Sequence, residues 1–139
     1  MARKGLIATG FREASRQLNE MSKAAARGVG RKSLAVPAEI LARAVRQNTP
    51  VLTGNTYESV DVLPAKAKRG VAVEVVAQDI AAVQLEFGNS DQAATPFFRP
   101  AVDATRAARD KAFADALMIE VDTAVIRNAA RDAKKAAKG

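Results

Sequence analysis

The chain has 139 residues and a formal net charge of +7, from 22 Lys and Arg against 15 Asp and Glu, and it contains neither cysteine nor histidine. Those absences exclude disulfides, thiolate metal sites and Cys/His or Ser/His nucleophilic arrangements, and they remove the commonest general base. No run of about 18 apolar residues is present, so no membrane span is expected; the N-terminal "MARKGLIATGFREASRQ" lacks the apolar stretch of a cleaved secretory signal.

The length fits a single domain. Hydrophobic residues make up 48% of the chain but aromatics only 4%, which predicts thin, alanine-rich helices packed closely around a small apolar centre. The charge is concentrated at the ends. Residues 1–32 carry eight Lys/Arg against Glu13 and Glu20, residues 127–139 carry five against Asp132, and the middle carries nine against twelve acids. Basic ends on a mildly acidic body point to an acidic partner, either nucleic acid or an acidic protein surface. Solvated helix ends that keep an alanine-rich chain soluble read the same pattern equally well.

In chain order, Ile7, Phe11, Ala14, Leu18, Met21 and Ala25 recur at spacings of four, three, four, three and four, the stripe of an amphipathic helix over 7–27. "GVGRKS" (28–33) reads as a break, because it holds two glycines and lacks the length and preceding strand of a phosphate-binding loop. A second helix is expected from Val36 to Arg46, with Pro37 in its first turn and Ile40, Leu41, Ala44 and Val45 on its apolar face. After the break "QNTPVLTGN" (47–55), "SVDVL" (59–63) and "VAVEVVA" (71–77) alternate apolar and polar residues around the basic "PAKAKRG", which predicts a β-hairpin. A lone hairpin is marginal, so a helix, a further strand or a neighbouring subunit must lie behind it.

"DIAAVQLEF" starts a short helix with Asp79 as its N-cap and Gly88 as its stop. The longest helical pattern runs from Pro100 to Lys135, with Phe113, Leu117, Val121, Ala124 and Val125 on one side, and the end "RDAKKAAKG" reads as a fraying tail. The order is two N-terminal helices, a small antiparallel hairpin or sheet, a short helix and a long C-terminal helix, an α+β domain. Within residues 1–139 the parts are a basic helical segment (1–35), a core (36–115) and the end of the long helix with its basic tail (116–139).

Acids and bases alternate along the long helix, as in Asp103, Arg106 and Asp110, the ordinary pattern of a solvated face; neither catalysis nor a cofactor or metal site is expected. The candidates for contact with an acidic partner are Lys66, Lys68 and Arg69 in the hairpin loop and Arg127, Arg131, Lys134 and Lys135 near the C-terminus. Stacking aromatics and helix-turn-helix spacing are missing, so any nucleic acid would be met through its backbone.

Three stretches resist a bland reading. In "TPVLTGNTYESV" (49–60), Gly54 is placed to supply a positive φ in a turn that feeds a strand. In "LEFGN" (85–89), Glu86 lies at a helix C-terminus, the wrong end of the dipole, so a partner is required, and Arg99 is the local candidate. In "TPFFRPA" (95–101), two prolines clamp Phe97, Phe98 and Arg99 ahead of a helix. Burying a Phe stabilises by roughly 1.5–3 kcal/mol, so at least one of the pair should enter the core or an interface.

In this order and spacing, the three stretches resemble the tail-component family of long-tailed bacteriophages, the gp-ten-like head–tail joining or tail-completion (neck) proteins. That family's pattern is a "TP…TG.L..S(I/V)" turn and strand, a hairpin, "YA.YVEFGT", and "PF(L/F)RPA" opening a helix. The counterparts are Thr49, Pro50, Thr53, Gly54, Ser59 and Val60, then Ala82, Leu85, Glu86, Phe87 and Gly88, then Pro96, Phe97, Phe98, Arg99, Pro100 and Ala101. The resemblance spans about residues 36–115. It departs at Thr56, where the family has Leu, at Ala81 and Gln84, where it has Tyr, and at Asn89, where it has Thr.

The resemblance implies a structural virion protein without enzymatic activity, made in the bacterial host cytoplasm. It would form a homo-oligomeric ring, hexameric or dodecameric, in the neck. Neighbouring head–tail connector and tail-terminator or tail-tube proteins would contact it, and DNA would pass its lumen without sequence specificity. A tail-terminator ring capping the tube is the alternative within that class, and a non-specific nucleic-acid-binding accessory protein is the alternative outside it. The residues the resemblance marks for subunit structure or contacts are Thr53, Gly54, Ser59, Glu86, Phe87, Gly88, Pro96, Phe97, Phe98, Arg99 and Pro100.

Overall fold

The computed structural model describes residues 2–51 and 54–139, with side chains from residue 10 onward. Its elements are α1 (Ala2–Glu20), α2 (Lys23–Asn48), α3 (Asn55–Glu58), β1 (Val60–Ala65), β2 (Ala72–Ala77), α4 (Ala81–Phe87), α5 (Phe98–Ala104) and α6 (Arg106–Lys138). The fold is α+β: mainly helical, with a two-stranded antiparallel sheet, a short helix and a long C-terminal helix.

The N-terminal stripe packs as its spacing requires, but the helix boundary lies elsewhere. Ala14 is buried with Val29, Leu117 and Val121, and Phe11, Leu18, Met21, Phe113 and Ala124 surround them; Phe11 stacks on Phe113 at 6.5 Å between ring centroids. The Ile7 side chain lies outside the described residues. Instead of running to residue 27, α1 stops at Glu20, and Ser22 caps α2 by accepting the Ala25 N–H at 3.2 Å. "GVGRKS" is helical throughout. Two interior glycines cost roughly 1 kcal/mol each relative to alanine; packing of α2 along α6 outweighs that cost. Gly30 also makes room for the hairpin, since a Cβ there would lie 2.6 Å from Val71 Cγ2.

The second helix is therefore 26 residues long, and Pro37 sits in its interior rather than its first turn. A proline there removes the bond that residue 37 would donate to the Ser33 carbonyl. Pro37 is buried and lines a depression with Leu34, Leu41 and, on the sheet side, Val73, so apolar burial compensates for the lost bond.

Val60 and Val62 of β1 lie opposite Ala77 and Val75 of β2, on the face that covers Ala42 and Val45 of α2. Asp61 and Glu74 point to solvent, as the alternation requires. β1 extends to Ala65 and includes Pro64, which a two-stranded sheet tolerates because each strand is an edge. The turn contains Gly70 at φ +72°. The second cluster is completed by Ala82 and Leu85 of α4 with Phe97 and Ala101.

The long helical pattern begins at Phe98 rather than Pro100 and bends at Thr105 (φ −98°, ψ 0°). The Thr105 hydroxyl donates to the Ala101 carbonyl at 2.7 Å, a back-bond that bends helices. Arg109 bridges the joint, donating to Thr105 Oγ1 at 3.0 Å and to the Val102 carbonyl at 2.7 Å. Val125 is exposed, and helix α6 runs to Lys138 rather than ending at Lys135. Ala, Lys and Arg are strong helix formers, and cations suit a helix C-terminus. Among the described residues no helix is long and apolar enough to cross a membrane.

A Cβ at Gly28 meets nothing within 4 Å, whereas one at Gly30 meets Val71. Gly28→Ala is expected to raise stability by about 0.5–1 kcal/mol, read as a higher melting temperature, with Gly30→Ala gaining less or losing. The opposite order would contradict this packing of α2 on the hairpin.

Candidate functional site

The short helix α4 ends at Gly88, where φ +74° favours glycine. The space is restricted as well: a Cβ there would come within 2.7 Å of the Ala94 nitrogen. Residues 89–95 turn back across this end. Asn89 and Gln92 exchange backbone bonds, and the Thr95 N–H donates to the Leu85 carbonyl at 2.7 Å. That return lays "PFFRP" directly against Glu86.

Glu86 then caps the helix that follows. Its Oε2 accepts the N–H groups of Phe97 and Phe98 at 2.8 and 2.9 Å, and its Oε1 accepts the Arg99 N–H at 3.0 Å and Arg99 Nε at 2.9 Å. Arg99 Nη2 also donates to the Glu86 carbonyl at 3.2 Å. The next residue, Pro100, has no N–H to satisfy. One carboxylate thus meets every donor of the first turn of α5, at the positive end of its peptide dipoles. Asp79, expected to cap α4, instead accepts the Thr56 hydroxyl at 2.6 Å, and α4 has no side-chain cap.

The electrostatics follow from this geometry. Burial is the largest single influence on Glu86 and pushes its carboxyl up. The N–H groups of Phe98, Arg99 and Phe97, with the Arg99 guanidinium, together outweigh it and hold the pKa at about 2, below the usual 4.5. The Glu86 side chain is 7% exposed and that of Arg99 59%, so water screens the guanidinium, and the backbone donors are the stronger part of the arrangement. Arg99 also lies over the Phe87 ring, 4.8 Å from its centroid.

Of the two clamped phenylalanines, Phe97 is fully buried and Phe98 partly so, packed edge-on at 6.3 Å. Pro96 precedes the pair in the exposed loop. Gly54 has φ +82° and opens α3, while Ser59 bonds back to the Thr56 carbonyl at 2.7 Å and receives the Gln78 N–H on its own carbonyl. Thr53 lies outside the described residues. The three stretches marked in the sequence meet in one buried cluster, through Val60, Leu85 and Phe97, and the first two also border a pocket of about 170 Å³ lined by Pro50, Gly54, Thr56, Ala81, Leu85 and Gln92, among others. The basic candidates are elsewhere and exposed: Lys66, Lys68 and Arg69 at the hairpin tip, and Arg127, Arg131, Lys134 and Lys135 on the last third of α6.

The outer side of α4 did not stand out in the sequence. Ile80, Val83 and Phe87 follow one another at helical spacing and are 88, 66 and 62% exposed. Together with Val76, Phe98 and Arg99, Val83 and Phe87 line an open apolar depression of about 380 Å³. It adjoins β2, which pairs only with β1 among the described residues. The ladder alternation set by the Gln78–Ser59 bond aims the backbone groups of Val73 and Val75 away from β1. The other edge is less available: Pro64 has no N–H, and Arg46 Nη2 holds the Val60 carbonyl at 2.8 Å. The signal in the sequence was that Ile80, Val83 and Phe87 remain apolar although Ala82 and Leu85 are the residues of α4 that cover the core. Among the described residues no group of three or more His, Cys, Asp or Glu is placed to hold a metal ion.

Because the folded pKa of Glu86 is depressed, its contribution is complete above about pH 4.5 and is lost as pH falls toward 2. The linked stabilisation is on the order of 3 kcal/mol. Acid titration of Glu86→Gln is therefore expected to show a lower plateau and a flatter decline in this window than the parent. Phe97→Ala should cost about 3–5 kcal/mol in chemical denaturation, more than Phe98→Ala. Equal costs would mean that Phe97 is not the core member of the pair.

Comparison of the chain with protein-family models, with curated proteins and with solved structures finds no match.

Proposed function

We propose that the chain is a structural subunit of a bacteriophage neck that assembles as a ring at the head–tail junction. The observation that carries this reading is the convergence of its three family-like stretches. Residues 49–60, 85–89 and 95–101 are separated in sequence, yet Val60, Leu85 and Phe97 share one buried cluster and Glu86 ties the second stretch to the third. Three of the four departures from the family pattern fall together. Thr56, Ala81 and Gln84 stand where the family carries Leu and two Tyr, and all three line the pocket of about 170 Å³. Smaller side chains at adjoining positions leave room that larger ones would fill.

The interlocked unit also presents one of the surfaces a ring subunit needs. A ring requires two different, complementary surfaces on each copy. An exposed apolar stripe beside an unpaired strand edge is one such surface, and an edge strand can be extended by a neighbour's backbone. The Pro64 edge is poorly suited to the same use, so the sheet has a direction.

The test is assembly of the purified chain, alone and with heads lacking tails, followed by electron microscopy and mass measurement. Closed rings are expected. Ile80→Glu and Val83→Glu, at exposed positions, should melt like the parent yet fail to form rings. Rings that form unimpaired in both variants, or a parent chain that stays monomeric under every condition, would refute the reading.

A further inference from the structure

We propose that the end of the helical bundle formed by α2 and α6 binds the sugar–phosphate backbone of nucleic acid, with Lys32, Arg127, Arg131 and Lys134 as its phosphate contacts. Residues 23–32 contain four Lys/Arg and no acid, and residues 127–139 contain five against Asp132. These stretches lie near opposite ends of the chain, but α2 packs along α6 and brings them to one cleft. The cleft has a volume of about 300 Å³; Lys32 lines one wall, Arg127, Arg131 and Asn128 the other, and Glu120 is its one carboxylate. A second depression of about 260 Å³ continues from Arg127 and Arg131 to Lys134.

None of the four cations takes part in an ion pair among the described residues; acids engage only Arg16, Arg99, Arg106 and Lys111. Cations of a merely solvated helical face usually find an acid three or four residues away, as Lys111 finds Asp115. Here the sequence supplies almost none. Along α6, Arg127, Arg131, Lys134 and Lys138 stand four, three and four residues apart, a row with steps of roughly 4.5–6 Å. Phosphates of one strand rise about 3.4 Å apiece, so successive cations can meet different phosphates.

The composition favours nucleic acid over an acidic protein. Protein interfaces are enriched in aromatics and depleted in lysine and alanine. Residues 114–139 and 23–46 hold no aromatic residue, and the surface between the cations is largely alanine. Small side chains let a backbone approach, and the lack of stacking groups makes the contact indifferent to base identity. The inference deepens the neck reading by naming the surface that meets DNA. Its test reads phosphate binding by the free chain, so either can fail without the other.

Binding of a fluorescent mixed-sequence DNA duplex to the full chain is measured by anisotropy across a salt series. Four phosphate contacts predict a slope of log K against log salt of about −3.5. Arg131→Ala should reduce that slope by about one across all sequences, and the double variant R127E/R131E should abolish binding with an unchanged circular dichroism melt. Lys66→Ala and Lys68→Ala at the hairpin tip should leave it unchanged. Three results would overturn the proposal: no salt-dependent binding, full binding by R127E/R131E, or equal binding of poly-glutamate, which would make the surface a dock for acidic protein. Ring assembly, read through Ile80 and Val83, is scored separately.

Discussion

The carboxylate of Glu86 is the constraint on which half of this fold depends. Four donors from residues 97–99 converge on its two oxygens, and each needs the chain to reverse between residues 88 and 96. A charge with 7% exposure would ordinarily be costly to bury. Here oriented peptide dipoles replace the water it loses, and they do so only when α4, the return loop and α5 are all in place. The capping interaction is therefore cooperative. It stops one helix, starts the next and drives Phe97 between Val45, Val60 and Leu85. Gly88 and Pro100 serve the same end from opposite directions, one by allowing the backbone approach and the other by adding no donor.

Helix α2 carries the result to the rest of the molecule. At 26 residues it is about 39 Å long, and it packs against α6, the sheet and α5. Its two halves serve different clusters. Ala42 and Val45 sit with the sheet and Phe97, while Val29 sits with α1 and α6. The surfaces divide in the same way. The apolar stripe of α4 and the free strand edge belong to the first end, and the unpaired cations of α2 and α6 belong to the second. In the proposed role this separation is favourable, because charge beside an apolar contact would have to be desolvated when the contact forms.

Several features were legible in the residues themselves. Alternation at 59–63 and 71–77 marks strands because side chains on a pleated backbone point to opposite faces. Gly54 and Gly88 mark positive φ because other residues enter that region at a steric cost. The pairing of Glu86 with Arg99 follows from a carboxylate stranded at a helix C-terminus with a cation near in sequence. Helical spacing correctly grouped Phe11, Ala14, Leu18 and Met21 with one another, and Phe113, Leu117 and Val121 likewise, without revealing that the two groups share a cluster.

What the tertiary structure alone decided was where elements end and what covers them. The two glycines at 28 and 30 looked like a break, and Pro37 looked like a helix start, because local propensity is all that a short window contains. Burial of α2 against α6 and the sheet is worth more than those penalties, so the helix runs through both and the break moves to Ser22. The three backbone bonds to Glu86 depend on a loop that brings residues 11 to 13 positions apart into contact. Whether Ile80, Val83 and Phe87 face the core or solvent depends on which side of α4 the sheet occupies. Lys32 joins Arg127 and Arg131 only because two helices pack side by side. Sequence determined the local conformations, since sterics and periodicity act over a few residues; packing decided boundaries, partners and exposed faces, since those energies come from residues far apart in the chain.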